Sequence, residues 1–139
     1  FTTNQSERFE ARLSMVEILD SPSLFLSGMA GMRMPIAVAH GEGFANFDPA
    51  KAGRGNAQTV LQAMGVTDNC GKATEQYPFN PNGSPNGLTA VTTADGRFTA
   101  MMPHPERVFR NVQMSWSSGD INAHSPWMQL WHNARKWVA

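Results

Sequence analysis

One cysteine, Cys70, is all the thiol this chain has. A lone cysteine cannot close an internal disulfide and fits a reducing compartment, so the cytoplasm is the expected location. An excess of basic charge is missing too: Lys plus Arg number 11 and Asp plus Glu number 11. Without a basic field, neither nucleic acid nor an anionic membrane is expected as a partner. No apolar run reaches the length of a membrane span, and the opening FTTNQSERFE lacks the apolar stretch of a signal peptide. What remains is a globular composition, 41% hydrophobic and 16% charged over 139 residues, enough for one domain with a core. The chain opens on Phe1 and runs almost at once into a strand-like pattern, so residues 1–139 read as part of one incomplete domain cut from a longer polypeptide.

RFEARLSMVEIL alternates Phe9, Ala11, Leu13 and Met15 against Glu10, Arg12 and Ser14, the period of a half-buried strand whose odd positions face the core. Ser21 as N-cap and Pro22 at the first helical position predict one or two helical turns, stopped by Gly28 and Gly31. Pro35 to Ala39 reads as a buried strand ending in the glycine-rich corner His40-Gly41-Glu42-Gly43. Residues 44–58 are poor in apolar side chains and read as loop. TVLQAMGVTDNCGKATEQYP suggests a hairpin turning at Asp68 to Gly71. NPNGSPNG, Asn80 to Gly87, is dense in turn-forming residues and reads as an ordered loop. LTAVTTADGRFTAMM is a hairpin about Asp95-Gly96, its second arm, Arg97 to Met102, leading into PHPER. An irregular stretch to Asp120 precedes a helix capped by Ser125, with Pro126 first and Trp127, Leu130, Trp131, Ala134 and Val138 on one face. Arg135 and Lys136 in its last turn suit the helix dipole, and the tryptophans read as core anchors.

The chemistry concentrates in His104-Pro105-Glu106. If the strand continues through Glu106, period two puts both side chains on one side, about 6–7 Å apart along the backbone. A carboxylate there reaches the imidazole Nδ1–H while Nε2 points outward, the base-and-orienter half of a triad. Pro103 and Pro105 stiffen the mount and bar an interior sheet position, so the strand ends here.

PFNPNGSPNGLTAVTTADGRFTAMMPHPERVFR, with RFEAR, MPIAVAHGEG and SPWMQLWHNARK, closely resembles the C-terminal glutaminase domain of the large, single-chain phosphoribosylformylglycinamidine synthases (formylglycinamide ribonucleotide amidotransferases). The resemblance runs from about Arg8 to Lys136 and is weakest between Phe44 and Gly65. It implies an α/β, flavodoxin-like class I glutamine amidotransferase domain, here partial, without its N-terminal strands and nucleophile elbow. A parallel sheet with an exposed edge and an uncovered apolar face is then expected. The resemblance further implies that a cysteine attacks the glutamine carboxamide, with His104 as base and Glu106 as orienter. Released ammonia passes to a synthetase domain, which uses ATP and magnesium to make formylglycinamidine ribonucleotide in purine biosynthesis. Those cofactors belong to that domain, and none is expected in this chain. The partners implied are glutamine and the rest of the same polypeptide.

The family's nucleophile lies upstream of the segment resembling RFEAR, and no such cysteine stands in this sequence. Cys70, in TDNCGK, falls where the family has no catalytic residue, so the thiol is expected from elsewhere in the polypeptide and the 139 residues alone are expected to be inactive. His40, Gly41 and Glu42 occupy the corner that lies along the family's glutamine pocket. The sequence itself says only that two glycines permit close backbone approach. A metal at His40, Glu42, His104, Glu106 and His124 is not expected, since neither HExxH nor a zinc spacing occurs. Asn80 to Gly87 is expected to brace the motif-bearing hairpin or to contact the synthetase domain, and Arg107 and Arg110 to make a domain contact or an ion pair with Glu106. The competing reading is a non-catalytic docking domain that keeps the amidotransferase fold.

Overall fold

The computed structural model describes residues 1–46, 60–117 and 123–139. The loop predicted over 44–58 and the end of the irregular stretch before Asp120 therefore fall mostly outside the described residues. Five strands form one sheet: β1 (Glu10–Ile18), β2 (Arg33–His40), β3 (Val60–Val66), β4 (Leu88–Thr93) and β5 (Thr99–Met101), in the order β2-β1-β3-β4-β5. Among the described residues one α-helix, α1 (Gln129–Val138), follows. The α/β class stands, but every strand pair described is antiparallel, not parallel. A connection as short as residues 94–98 can only reverse the chain, whereas a parallel pair needs a crossover of a dozen residues or more.

The phase of β1 is the reverse of the sequence expectation. Val16, Ile18, Ser14 and Glu10 are buried, while Phe9 is 68% and Leu13 38% exposed. The period was legible but the phase depends on the C-terminal half of the strand, where Val16 and Ile18 meet Met34, Ile36 and Val66 in the core. A shift of one residue turns every side chain to the other face. The buried Glu10 carboxylate this places inside is paired with Arg12 and accepts from Ser6 Oγ at 2.7 Å.

Register shifts in β3 between Gln62 and Gly65 bend the sheet into a half-barrel. The chain leaving β5 thereby reaches the free edge of β2, where His104 N–H donates to the Ala37 carbonyl at 2.8 Å. Pro35 is tolerated in β2 because that strand is an edge. Its carbonyl accepts from Trp127 Nε1 at 2.8 Å, locking the fully buried indole over the core.

Residues 21–32 form successive turns and no helix: Leu26 N bonds Ser23 O, Met29 N bonds Leu26 O and Met32 N bonds Met29 O. Gly28 and Gly31 take positive φ, which breaks the helical path before it can propagate. Both expected turns form, but only the one at Asp95-Gly96 joins two strands; past the Asp68 turn the described chain makes a single bridge, Thr67 with Ala73, and β3 pairs instead with β1 and β4. Asp68 Oδ1 accepts from Cys70 N and Lys72 N, and Gly96 N bonds Thr93 O with Gly96 at φ +70. Before α1, Ser125 Oγ accepts from Trp127 N in a 3₁₀ turn, Pro126–Met128. Trp127 and, in part, Trp131 anchor the core, but Trp116 at 77% and Trp137 at 60% exposure do not.

Candidate functional site

His104 Nδ1–H donates to Glu106 Oε1 at 2.7 Å. The route differs from the expected one, because the extended strand does not run through Glu106. Pro105–Arg107 is a single 3₁₀ turn, with Arg107 N bonding His104 O at 3.1 Å and Val108 N bonding Pro105 O at 3.1 Å. Proline at the first position of such a turn has its φ preset and no N–H to satisfy. With Nδ1 taken by the carboxylate, Nε2 is the nitrogen left for a reacting group. The ring borders a cleft of about 310 Å³ lined also by Phe25, Met101, Met102, Pro103 and Leu130. Arg107 Nε lies 3.9 Å from the same Glu106 oxygen, an exposed pair of small energetic weight. Arg110 instead sits over the Phe109 ring, 5.4 Å from its centroid.

The second corner, residues 40–45, is built from buried polar bonds. Asn4 clamps it: its Nδ2 donates to the His40 carbonyl at 2.8 Å and to Arg8 O at 2.9 Å, and its Oδ1 accepts from Gly43 N at 2.8 Å. Asn4 N adds a bond to Gly41 O at 2.9 Å. Ser84 Oγ accepts from Ala45 N at 2.8 Å and reaches Gly43 O at 3.3 Å. The Asn80–Gly87 loop thus braces this corner. Asn80 holds the loop's own shape, donating to Thr74 O and Ser84 O and accepting from Gly83 N.

The structure brings His104 near enough to His40 that a charge on His104 disfavours one on the His40 ring. His40 is 6% exposed. Burial lowers its pKa below the usual histidine range, the Met102 carbonyl partly opposes this, and His104 adds a smaller lowering. Glu42 is exposed and Gly41 half-buried, and among the described residues no partner engages the amide of either. Cys70 lies apart. Its turn abuts Arg33, against whose guanidinium a Cβ on Gly71 would collide, whereas His104 pairs with Ala37 four residues along β2. That is about 13 Å of strand. Among the described residues, no three His, Cys, Asp or Glu side chains converge as a metal would require.

Sequence reasoning missed Asn4, Asn82 and Ser84, all essentially buried. The Asn and Ser of NPNGSPNG carried a signal, turn chemistry, without showing what it braced. Asn4 carried none.

Residues 1–138 match the family described as CobB/CobQ-like glutamine amidotransferase domain. Among solved structures, that of PurLQS from Thermotoga maritima shares the fold, with a TM-score of 0.66 at 17% identity over 99% of this chain. The match covers 52% of that chain, so the present chain spans about half its length.

Proposed function

The chain belongs to the CobB/CobQ-like glutamine amidotransferase domain family, and from that premise we propose that it supplies the base and the orienting acid of a Cys-His-Glu glutaminase site. The observation that carries this is the 2.7 Å bond from His104 Nδ1 to Glu106 Oε1 beside an open cleft. His104 Nε2 takes the proton of a cysteine thiol, which then attacks the glutamine carboxamide. The imidazolium returns the proton to the departing ammonia. Glu106 fixes the tautomer and steadies the charged ring. The thiol comes from another segment of the same polypeptide, since Cys70 stands in an exposed turn away from the dyad. At the other corner, the amides of Gly41 and Glu42, on a loop held rigid by Asn4 and Ser84, receive the glutamine α-carboxylate, with His40 bounding the pocket from within.

The resemblance of PHPER and NPNGSPNG to phosphoribosylformylglycinamidine synthases, and the shared fold with PurLQS, support a finer reading. The ammonia is consumed by a synthetase domain that uses ATP and magnesium to convert formylglycinamide ribonucleotide to formylglycinamidine ribonucleotide in cytoplasmic purine biosynthesis. The 139 residues alone hydrolyse no glutamine on this reading. Among the described residues, no helix is long and apolar enough to cross a membrane. The test is His104→Ala in the full polypeptide. Glutamine-dependent synthesis should be abolished while synthesis from added ammonium salts persists. Loss of both together would make His104 structural.

A further inference from the structure

Among the described residues, two buried side chains at the junction of the two corners carry nitrogens without a hydrogen-bond partner. Neither His40 Nδ1 nor His40 Nε2 makes a well-formed hydrogen bond, and Asn82 Nδ2 makes none. Such groups are costly when left unpaired in a protein interior. Their placement is mutual. A Cβ at Gly43 would overlap the Nε2–Cδ2 edge of His40 and lie 3.0 Å from Asn82 Nδ2. The absence of a side chain at Gly43 is therefore what lets the ring edge and the amide approach one another.

The donor and acceptor inventory fixes the roles. Asn82 Oδ1 already accepts from Ser84 N at 3.0 Å, so Nδ2, a donor only, is the end turned to the imidazole. The Nε2 it faces must then be the unprotonated nitrogen, which leaves the proton on Nδ1. The Met102 backbone carbonyl lies near enough to the ring to favour its charged form, and only two residues before His104. We propose that His40 is a positioning residue of the glutaminase site: its Nε2 accepts from Asn82 and its Nδ1–H donates toward the Met102 carbonyl, each directly or through one water, tying the Asn80–Gly87 loop to the segment that carries the dyad. This deepens the function proposed above and rests on it.

Burial suits the role, because a ring held neutral keeps one acceptor and one donor and spares His104 a neighbouring charge. Among the described residues, the ionisable groups near the ring are Glu10, its partner across the β1–β2 ladder and committed to Arg12 and Ser6, and His104. The loop contributes the neutral Asn82, and the corner contributes Gly43.

The test uses the full amidotransferase polypeptide, with glutamine-dependent and ammonium-dependent synthesis followed from about pH 6 to 9. His40→Leu should lower kcat for glutamine by about tenfold or more with KM little changed, the loss of roughly one buried hydrogen bond or more in positioning energy. His40→Asn, whose amide nitrogen stands where Nδ1 stood, should recover most of that loss. Asn82→Leu should lower kcat in the same way and displace the acid limb of the pH profile. Ammonium-dependent synthesis reports that each variant has folded. A rise in KM at intact kcat would overturn the proposal by making His40 a substrate contact. An Asn variant no better than Leu in a folded enzyme would overturn it by reducing His40 to packing. His104→Ala in parallel separates the two ideas: if it kept glutamine turnover, the glutaminase assignment itself would fail, whatever the His40 variants did.

Discussion

The corner at 40–45 and the segment at 103–107 flank the same pair of histidines, yet they are held in opposite ways. The corner is fastened by buried Asn4 and Ser84 through bonds to four different backbone groups, and its histidine is sequestered. The dyad segment hangs from one backbone bond to β2, two prolines and one side-chain bond, with Glu106 55% exposed. Buried hydrogen bonds in a low dielectric rigidify strongly and are expensive to break, while an exposed pair contributes little to folding. The corner proposed to receive the substrate is thus built into the core's energetics, and the pair proposed to move protons is set on a short, stiff mount at its edge.

That contrast is open to attack at both ends. The largest effect belongs to the exposed end. Glu106→Gln in the full polypeptide should reduce glutamine turnover by about 10²- to 10⁴-fold, by analogy with loss of the orienting acid in other triads. Stability should move by no more than about 0.5 kcal/mol, as for other exposed groups. A large shift of the urea midpoint in that variant would erase the distinction between the two regions. At the buried end, Asn4→Ala removes a side chain that makes three hydrogen bonds and strands the groups it served. Unfolding followed by tryptophan fluorescence should register a loss of about 2–4 kcal/mol. A cost below about 0.5 kcal/mol would show that the clamp does not hold the corner.

A smaller effect concerns pH. His40 has its folded-state pKa below the unfolded value near 6.5, so its neutral form is the one the fold accommodates. The unfolded chain binds the proton first as pH falls. Stability is therefore fully present above about pH 6.5 and declines below it, until the folded pKa is passed. Urea titrations at a series of pH values should show this decline in the wild type and a flatter profile in His40→Asn. Equal slopes would place the ring in water.

How much of this could be read from the residues follows from the range of the forces involved. Asp95-Gly96, Ser125-Pro126 and the turn at Asp68 declared themselves because their bonds are local, spanning two to four positions. His104 and Glu106 were legible as a pair for the same reason, although the turn that joins them was not: Pro105 fits an extended segment and a 3₁₀ turn equally well. The phase of β1 was not legible, since Phe9, Leu13 and Met15 make as apolar a row as Val16 and Ile18, and only contact with β2 and β3 decides between them. Asn4 bonds Gly43 across 39 positions, and nothing in a TNQS tetrapeptide announces that.

The most direct test of the central claim, that His104 with Glu106 exists to activate a thiol supplied by another segment, is the pH dependence of thiol alkylation. It is measured in the full polypeptide, on a Cys70→Ser background, with and without His104→Gln. The account predicts a thiol that still reacts well below pH 8 when His104 is present and that requires a pH near the ordinary cysteine value of about 8.5 when it is gone. Superimposable profiles for the two proteins would contradict it.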